Sequence, residues 1–247
     1  MQRYKLLISY DGSAYAGWQV QPGQKTIQGE LEKCFGKLAG QQVKIHGSGR
    51  TDQGVHAAGQ VAHVDLPHCI PPAKILQAMN SLLPPDIRLL KASRAKNDFH
   101  ARRSAVSKEY RYFIRNSSVM PPFLYRYRTH VRRPLDVKSM QAAAELLTGK
   151  RDFAAFTANP NRLVESTVRT LSVLAVRKKG NEVVIIARSD GFLYRMVRSL
   201  AGFLIRVGQG DLSPAVAKEI LCRKERTAVV PTAPAEGLFL WRVDYGA

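Results

Sequence analysis

The chain has 247 residues, of which 45% are hydrophobic and 23% charged, values that exclude a disordered chain and give no indication of a membrane span. The 38 Lys and Arg residues outnumber the 19 Asp and Glu residues and leave a net charge of +19, which attracts polyanions. Nucleic acid is therefore the favoured partner, ahead of a solvated basic surface or an anionic membrane. The N-terminus lacks the apolar region of a signal peptide, so we expect a cytoplasmic protein. Three widely spaced cysteines predict neither a disulfide framework nor a zinc ribbon.

The first part of the chain predicts the order β-α-β-β-α-β. The predicted elements are a strand at residues 3–10, a helix between Thr26 and Gly40, strands at 42–46 and 59–65, a helix between Pro72 and Pro84, and a strand at 86–96. This order is typical of the ferredoxin-like arrangement, an antiparallel sheet with two helices on one face.

The second part predicts the same arrangement again. Its elements are a strand at 107–116, a helix at 137–147, hairpin strands at 168–177 and 182–188, helices at 193–207 and 214–222, and a strand at 238–243. We therefore predict an α+β fold of two ferredoxin-like lobes with mainly antiparallel sheets, residues 1–98 and 99–247, and a catalytic cleft between them.

A basic and aromatic segment, residues 99–133, begins the second lobe. The segment contains nine basic residues and only one acidic residue, Glu109. They are Arg102, Arg103, Lys108, Arg111, Arg115, Arg126, Arg128, Arg132 and Arg133. Guanidinium groups pair with phosphates and aromatic rings stack on unpaired bases, so the segment suits RNA. We take as RNA-binding candidates Arg102, Arg103, Lys108, Arg111, Arg126 and Arg128. For Tyr112, Phe113 and Ile114 we favour core packing.

A glycine-rich stretch at residues 47–57 carries one carboxylate, Asp52, and one guanidinium, Arg50. Its glycines allow positive φ and close approach, and the flanking strands can hold it rigid, which favours a functional loop. The alternative is that Asp52 only stabilises a tight turn. The earlier loop at residues 13–25 contains Tyr15 and Trp18, which could touch a base or cover an edge of the core.

A lone aspartate limits the chemistry that the loop could support. Metal-dependent phosphodiester cleavage needs several carboxylates, and a standard glycosidase needs two. One carboxylate suits attack on a sugar C1′, or removal of a sugar proton, when the released base is trapped and reattached. Isomerisation of uridine fits this pattern and needs neither cofactor nor metal. A non-catalytic RNA-binding protein and a uridine-directed RNA glycosidase are the alternatives.

Several stretches together resemble the tRNA pseudouridine synthase A family. They are Gly47-Ser48-Gly49-Arg50-Thr51-Asp52-Gln53-Gly54-Val55-His56-Ala57, Tyr10-Asp11-Gly12, Gly17-Trp18-Gln19, Phe99-His100-Ala101-Arg102, and Ala235-Glu236-Gly237-Leu238. The resemblance implies that Asp52 is the catalytic residue, which attacks C1′ or abstracts the 2′ proton, and that Arg50 helps to hold the target base out of the stem. It implies that Tyr110 stacks on the uracil and helps to remove the C5 proton. Arg198 is implied to pair with Asp52, although helical periodicity alone would expose Arg198 to solvent.

The resemblance also implies a substrate and an assembly. The family acts on uridines 38, 39 and 40 of the tRNA anticodon stem-loop and works as a homodimer. Two positions depart from the family pattern: Arg103 stands where an aromatic residue is common, and Ser48 where alanine is common. The histidines and cysteines fit no standard zinc spacing, so we expect no metal site.

Overall fold

The computed structural model describes residues 1–158 and 165–246. The strands are β1 (Gln2–Tyr10), β2 (Ile45–Gly47), β3 (His56–Leu66), β4 (Ile87–Arg94), β5 (Ser107–Asn116), β6 (Thr129–Val131), β7 (Gly149–Asp152), β8 (Val168–Lys179), β9 (Glu182–Ser189) and β10 (Leu238–Asp244). The helices are α1 (Ile27–Ala39), α2 (Pro72–Leu82), α3 (Val137–Leu147), α4 (Met196–Gly208) and α5 (Val216–Arg223). The expected mixture of helices with mainly antiparallel strands is confirmed.

The chain forms two compact units, one of residues 1–106 with 239–247 and one of residues 107–238. The division into lobes of residues 1–98 and 99–247 stays a prediction. In the first unit, β4, β1, β3 and β2 are antiparallel neighbours in that order, as in a ferredoxin-like sheet. Phe239 and Leu240 of β10 add a parallel pairing along the start of β3.

The core of the first unit follows from strand alternation and from one apolar stripe on each helix. Tyr4, Leu6 and Ile8 of β1 point to one face and are fully buried. On the helix side, α1 buries Ile27, Leu31 and Phe35, and α2 buries Ile75 and Met79, each set on one face of its helix. The ends of α1 are also local in origin, because Thr26 Oγ1 accepts the N–H of Gly29 at 3.2 Å and Gly40 adopts φ 67°.

In the second unit, β5, β9, β8 and β7 are antiparallel neighbours, and β6 lies parallel to β5. The predicted hairpin is confirmed, with Gly180 at φ 57° in its turn. The short strands β6 and β7 and a 3₁₀ turn at Ala154–Phe156 were not predicted. The predicted start of α4 at residue 193 is wrong, because Arg195 adopts φ 55° and the helix begins at Met196.

Within the described ranges, no helix combines the length and the apolar character needed to cross a membrane.

Candidate active site

The Asp52 loop, residues 48–55, connects β2 to β3 without regular secondary structure. The main-chain carbonyl of Asp52 accepts the N–H of Val55 at 3.1 Å and closes a turn over Gln53 and Gly54. Gly54 adopts φ 76°, a conformation that glycine tolerates without steric cost. Asp52 is half-buried and Arg50 is exposed. The main chain thus closes this turn while both charged residues keep surface access.

Buried polar contacts fix the start of the Asp52 loop. The N–H of Ser48 donates to the carbonyl of Val61 at 2.7 Å, and Ser48 Oγ donates to Gln60 Oε1 at the same distance. Gln60 Nε2 returns a hydrogen bond to the carbonyl of Gly49 at 2.9 Å. The Ser48 hydroxyl thus links the Asp52 loop to β3.

Thr51, the residue before Asp52, is held from two directions. Its hydroxyl shares a 2.8 Å hydrogen bond with the buried hydroxyl of Tyr10, and burial raises the pKa of Tyr10 to about 12. Its carbonyl accepts the N–H of Trp18 at 3.0 Å. Gly17 makes this approach possible, since it adopts φ 98° and a Cβ there would lie 2.6 Å from the carbonyl oxygen of Thr51. Rigid support of this kind preorganises a reactive side chain.

The aromatic residues of the loop at residues 13–25 belong to the core. Tyr15 and Trp18 are each only 2% exposed. The Trp18 ring lies so close under Gly47 that a Cβ there would stand 2.6 Å from it, and the Tyr15 hydroxyl donates to Asp86 at 2.6 Å. Of the two alternatives left open by the sequence, the structure supports the core edge. Of the two, Trp18 also contacts the Asp52 loop, because its main-chain N–H donates to the carbonyl of Thr51.

His56 is a supporting residue that sequence reasoning missed. Its Nδ1 lies 3.1 Å from both the N–H of Gly12 and a carboxylate oxygen of Asp11, and its ring stacks on Phe239 at 4.6 Å. A Cβ at Gly12 would lie 2.0 Å from the carbonyl oxygen of Val55. The turn after β1 is therefore pressed directly against the end of the Asp52 loop. Asp11-Gly12 is a residue pair typical of a turn, but the sequence does not show that this turn contacts Val55 and His56.

Arg50 lies at the surface of the first unit, two residues before Asp52. Its Nε donates to Gln19 Oε1 at 3.1 Å, a contact between exposed side chains. Such a contact is weak in water and can be exchanged for a phosphate or a base. The geometry is compatible with the role that the family resemblance implies for Arg50.

Tyr110 lies in the second unit, on β5 opposite Ala187 of β9. Its ring is 8% exposed and meets the ring of Phe192 edge to face at 5.1 Å. This packing fixes the orientation of the ring, as a stacking role would require.

Glu109, the residue before Tyr110, is the buried acid of the basic segment. It is 4% exposed, and its two oxygens accept from Arg111 Nε at 2.8 Å and Arg188 Nη2 at 2.5 Å. Burial alone would raise the pKa of Glu109, but the two guanidinium groups outweigh it and lower that pKa. Arg111, an RNA-binding candidate, thus has a structural partner.

Arg198 lies in the first turn of α4 and is half-buried. Its Nε donates to the carbonyl of Ala233 at 2.7 Å, and the N–H of Ala233 donates back to the carbonyl of Arg198 at 3.0 Å. The side chain is therefore not the fully solvated one that helical periodicity indicated. Arg195, just before the helix, is held at φ 55°, a strained conformation of the kind that clusters at functional sites.

The structure divides the other RNA-binding candidates into two groups. Arg102, Arg103 and Arg126 are exposed and Lys108 is half-buried. Arg128 instead pairs with Glu182 at 2.6 Å and lies 4.3 Å from the ring centre of Phe113. Core packing is confirmed for the apolar side chains of this strand, since Tyr112, Phe113 and Ile114 are all buried.

Three histidines come together in the first unit, although not in a metal geometry. The rings of His46 and His63 stack at 4.9 Å, and those of His63 and His100 meet at 4.8 Å. Among the residues that the structure describes, no group of three or more histidine, cysteine, aspartate or glutamate side chains could hold a metal ion. The expected absence of a metal or cofactor in the reaction stays a prediction.

Comparison with known proteins shows the family of the chain. The family model described as tRNA pseudouridine synthase matches residues 6–102 and 143–246. A protein named tRNA pseudouridine synthase A from Brevibacillus brevis is 45% identical over 245 residues, covering 99% of this chain and 100% of the relative. Proteins of the same name from Listeria innocua and Oceanobacillus iheyensis are 44% and 43% identical; each alignment covers 99% of this chain, with 100% and 97% of the relatives. The chain belongs to the tRNA pseudouridine synthase family.

Proposed function

We propose that this chain converts uridine to pseudouridine at positions 38, 39 and 40 of the tRNA anticodon stem-loop, with Asp52 as the catalytic residue. The conversion of uridine to pseudouridine in tRNA follows from family membership. The single observation that supports the catalytic assignment is the Asp52 loop, whose main chain is fixed by Ser48, Gln60 and Thr51 while Asp52 keeps partial access to solvent.

The proposed reaction rearranges bonds within one nucleotide. The N1–C1′ bond breaks, the uracil turns, and a C5–C1′ bond forms; C5 releases a proton to solvent and N1 takes one up, so the composition of the nucleotide does not change. Asp52 either attacks C1′ or removes the 2′ proton, and either route uses one carboxylate. Tyr110 is proposed to stack on the uracil and to help remove the C5 proton.

Arg198 and Arg50 are proposed to act through their positive charges. Arg198 would pair with the Asp52 carboxylate, which favours its ionised form. Arg50 would occupy the space of the flipped nucleotide or contact its phosphate, which offsets the few kcal/mol that flipping costs. Both roles rest on the family resemblance.

Tritium release tests the proposal most directly. Unmodified tRNA with [5-³H]uridine is incubated with wild type, Asp52→Asn and a control, Glu219→Gln, which changes an exposed carboxylate on α5. Joining C5 to C1′ must expel the C5 hydrogen, so we expect release by wild type and by Glu219→Gln but not by Asp52→Asn.

Other outcomes would identify the alternatives. Binding of tRNA without tritium release by any variant would indicate an RNA-binding protein, and free uracil in the products would indicate a glycosidase. Activity in Asp52→Asn would remove Asp52 from the mechanism.

The assembly and location are part of the same proposal. We infer a cytoplasmic homodimer, in keeping with the tRNA-modifying family to which the chain belongs. Sedimentation equilibrium of the purified chain tests the dimer, since a monomer mass at micromolar concentration would contradict it.

A further inference from the structure

The turn at residues 97–104, after β4, presents two arginines side by side. Arg102 and Arg103 are both exposed, although the preceding Ala101 is completely buried. Two guanidinium groups at the end of a turn could bind two phosphates of a nucleic acid, provided that the turn has one conformation.

His100 closes this turn with its imidazole ring. Its Nδ1 accepts the main-chain N–H of Arg102 at 3.1 Å and lies 3.4 Å from the N–H of Arg103. The main-chain N–H of His100 donates to Ser104 Oγ at 3.0 Å, and the main-chain carbonyl of His100 accepts the N–H of Ser104 at 2.9 Å. The imidazole ring of His100 therefore contacts the main chain of both arginines, and its main-chain groups bond Ser104 after them.

Side chains from the core anchor the same turn. His63 Nδ1 accepts the N–H of Ala101 at 3.2 Å, and the Tyr245 hydroxyl donates to the carbonyl of Ala101 at 2.6 Å. Arg3, paired with Asp65 at 2.7 Å, donates to the main-chain carbonyl of Phe99 at 2.9 Å. Both polar main-chain groups of Ala101 are thus satisfied internally, which leaves the turn little freedom to move.

Both ring nitrogens that accept must be unprotonated. Burial, with the charges of His46 and Arg3, lowers the pKa of His63 to about 4. Burial and the charge of Arg103 also lower the pKa of His100. Near neutral pH both imidazoles therefore remain acceptors, and the turn stays closed.

We propose that His100 is a positioning residue for tRNA, which holds Arg102 and Arg103 as a fixed pair that grips two phosphates of the RNA backbone. The ligand class follows from the two adjacent guanidinium groups and the net charge of +19. The proposal rests on tRNA being the substrate.

Binding measurements test whether Arg102 and Arg103 bind phosphates of the tRNA. Fluorescein-labelled unmodified tRNA is titrated by anisotropy at several salt concentrations with wild type, the double variant Arg102→Ala/Arg103→Ala, and a charge-matched control, Lys33→Ala/Lys37→Ala, from the exposed face of α1. We expect the arginine variant to raise Kd about tenfold or more and to reduce the slope of log K against log salt by about 2, roughly one for each phosphate contact. The lysine control should show neither change.

His100 variants test the positioning. We expect His100→Ala to raise Kd about threefold to tenfold and to raise KM more than it lowers kcat, by the loss of preorganisation. His100→Asn should restore binding, because its Oδ1 occupies the place of Nδ1 and can accept the same N–H groups. In the Arg102→Ala/Arg103→Ala background, His100→Ala should have no further effect on Kd.

The outcomes separate this proposal from the proposed function. If wild type releases tritium but the arginine variant binds tRNA as the lysine control does, the proposed binding of phosphates by Arg102 and Arg103 is wrong. If His100→Ala weakens binding equally with and without the arginines, or if His100→Asn does not restore it, the positioning role is wrong. If wild type binds tRNA but releases no tritium, the isomerase assignment fails, while the anisotropy comparisons still decide on the grip.

Discussion

Asp52 and Glu109 have similar sequence neighbours, since each carboxylate is two residues away from an arginine, but the structure holds them in opposite ways. Asp52 is half-buried, and its loop is fixed through the main chain and through neighbouring side chains. Glu109 is buried, and each of its oxygens receives a guanidinium group. A carboxylate that reacts needs an accessible oxygen on a fixed backbone, whereas a structural carboxylate has both oxygens satisfied. We therefore expect substitution of Asp52 to reduce mainly activity and substitution of Glu109 to reduce mainly stability.

The largest expected effect is on turnover in Asp52→Asn. We expect single-turnover tritium release to fall at least about a thousandfold, about 4 kcal/mol in activation free energy, because the reacting group is lost. Urea unfolding should change by less than about 0.5 kcal/mol, since the loop is held by other residues. A large loss of stability in this variant would contradict the comparison.

Glu109→Gln should show the reverse balance, with its main effect on stability. Removing the charge leaves Arg111 and Arg188 without their shared partner. We expect the free energy of unfolding to fall by about 2–3 kcal/mol, below the value for a fully buried pair because these arginine side chains are 32% and 35% exposed. Chemical denaturation measures it. Glu182→Gln, from the more exposed pair with Arg128, is the control and should cost less than about 1 kcal/mol.

Gly17→Ala tests the support of the Asp52 loop. The new Cβ would meet the carbonyl of Thr51 at a position where φ is already 98°, so we expect a loss of about 2 kcal/mol and reduced turnover. Gly23→Ala is the matched control, because φ is 69° there and nothing lies within 4 Å of the added Cβ. It should cost about 1 kcal/mol and leave turnover unchanged. Equal effects of the two substitutions would show that close packing on Thr51 does not matter.

His63 should make the stability of the folded chain depend on pH in the acid range, and this is the smallest of the expected effects. Its pKa falls from 6.5 to about 4 on folding, so below pH 6.5 the unfolded chain binds a proton that the folded chain does not. Stability should therefore decrease as pH falls from 6.5 towards 4, by about 1 kcal/mol between pH 6.5 and 5.5. His63→Asn should flatten this part of the stability curve, whereas exposed His68→Asn should leave it unchanged. Thermal unfolding over this pH range measures both.

Much of the secondary structure could be predicted because its determinants are close in the sequence. The ends of α1 depend on Thr26, three residues from its bonding partner, and on Gly40. The predicted bounds of α3 and β5 match the structure for the same reason. The strands β6 and β7 were missed because three or four residues carry too little alternation to reveal a strand.

For the site, the sequence by itself predicted an irregular loop around Asp52, since its glycines interrupt regular structure without knowledge of its neighbours. The tertiary structure alone decided which residues hold that loop and which basic residues are engaged within the protein. Trp18 lies beneath Gly47, Glu109 binds Arg188, and the N–H of Ala101 meets His63. Each of these contacts joins residues tens of positions apart, and a local pattern cannot encode a partner that only the folded chain brings near.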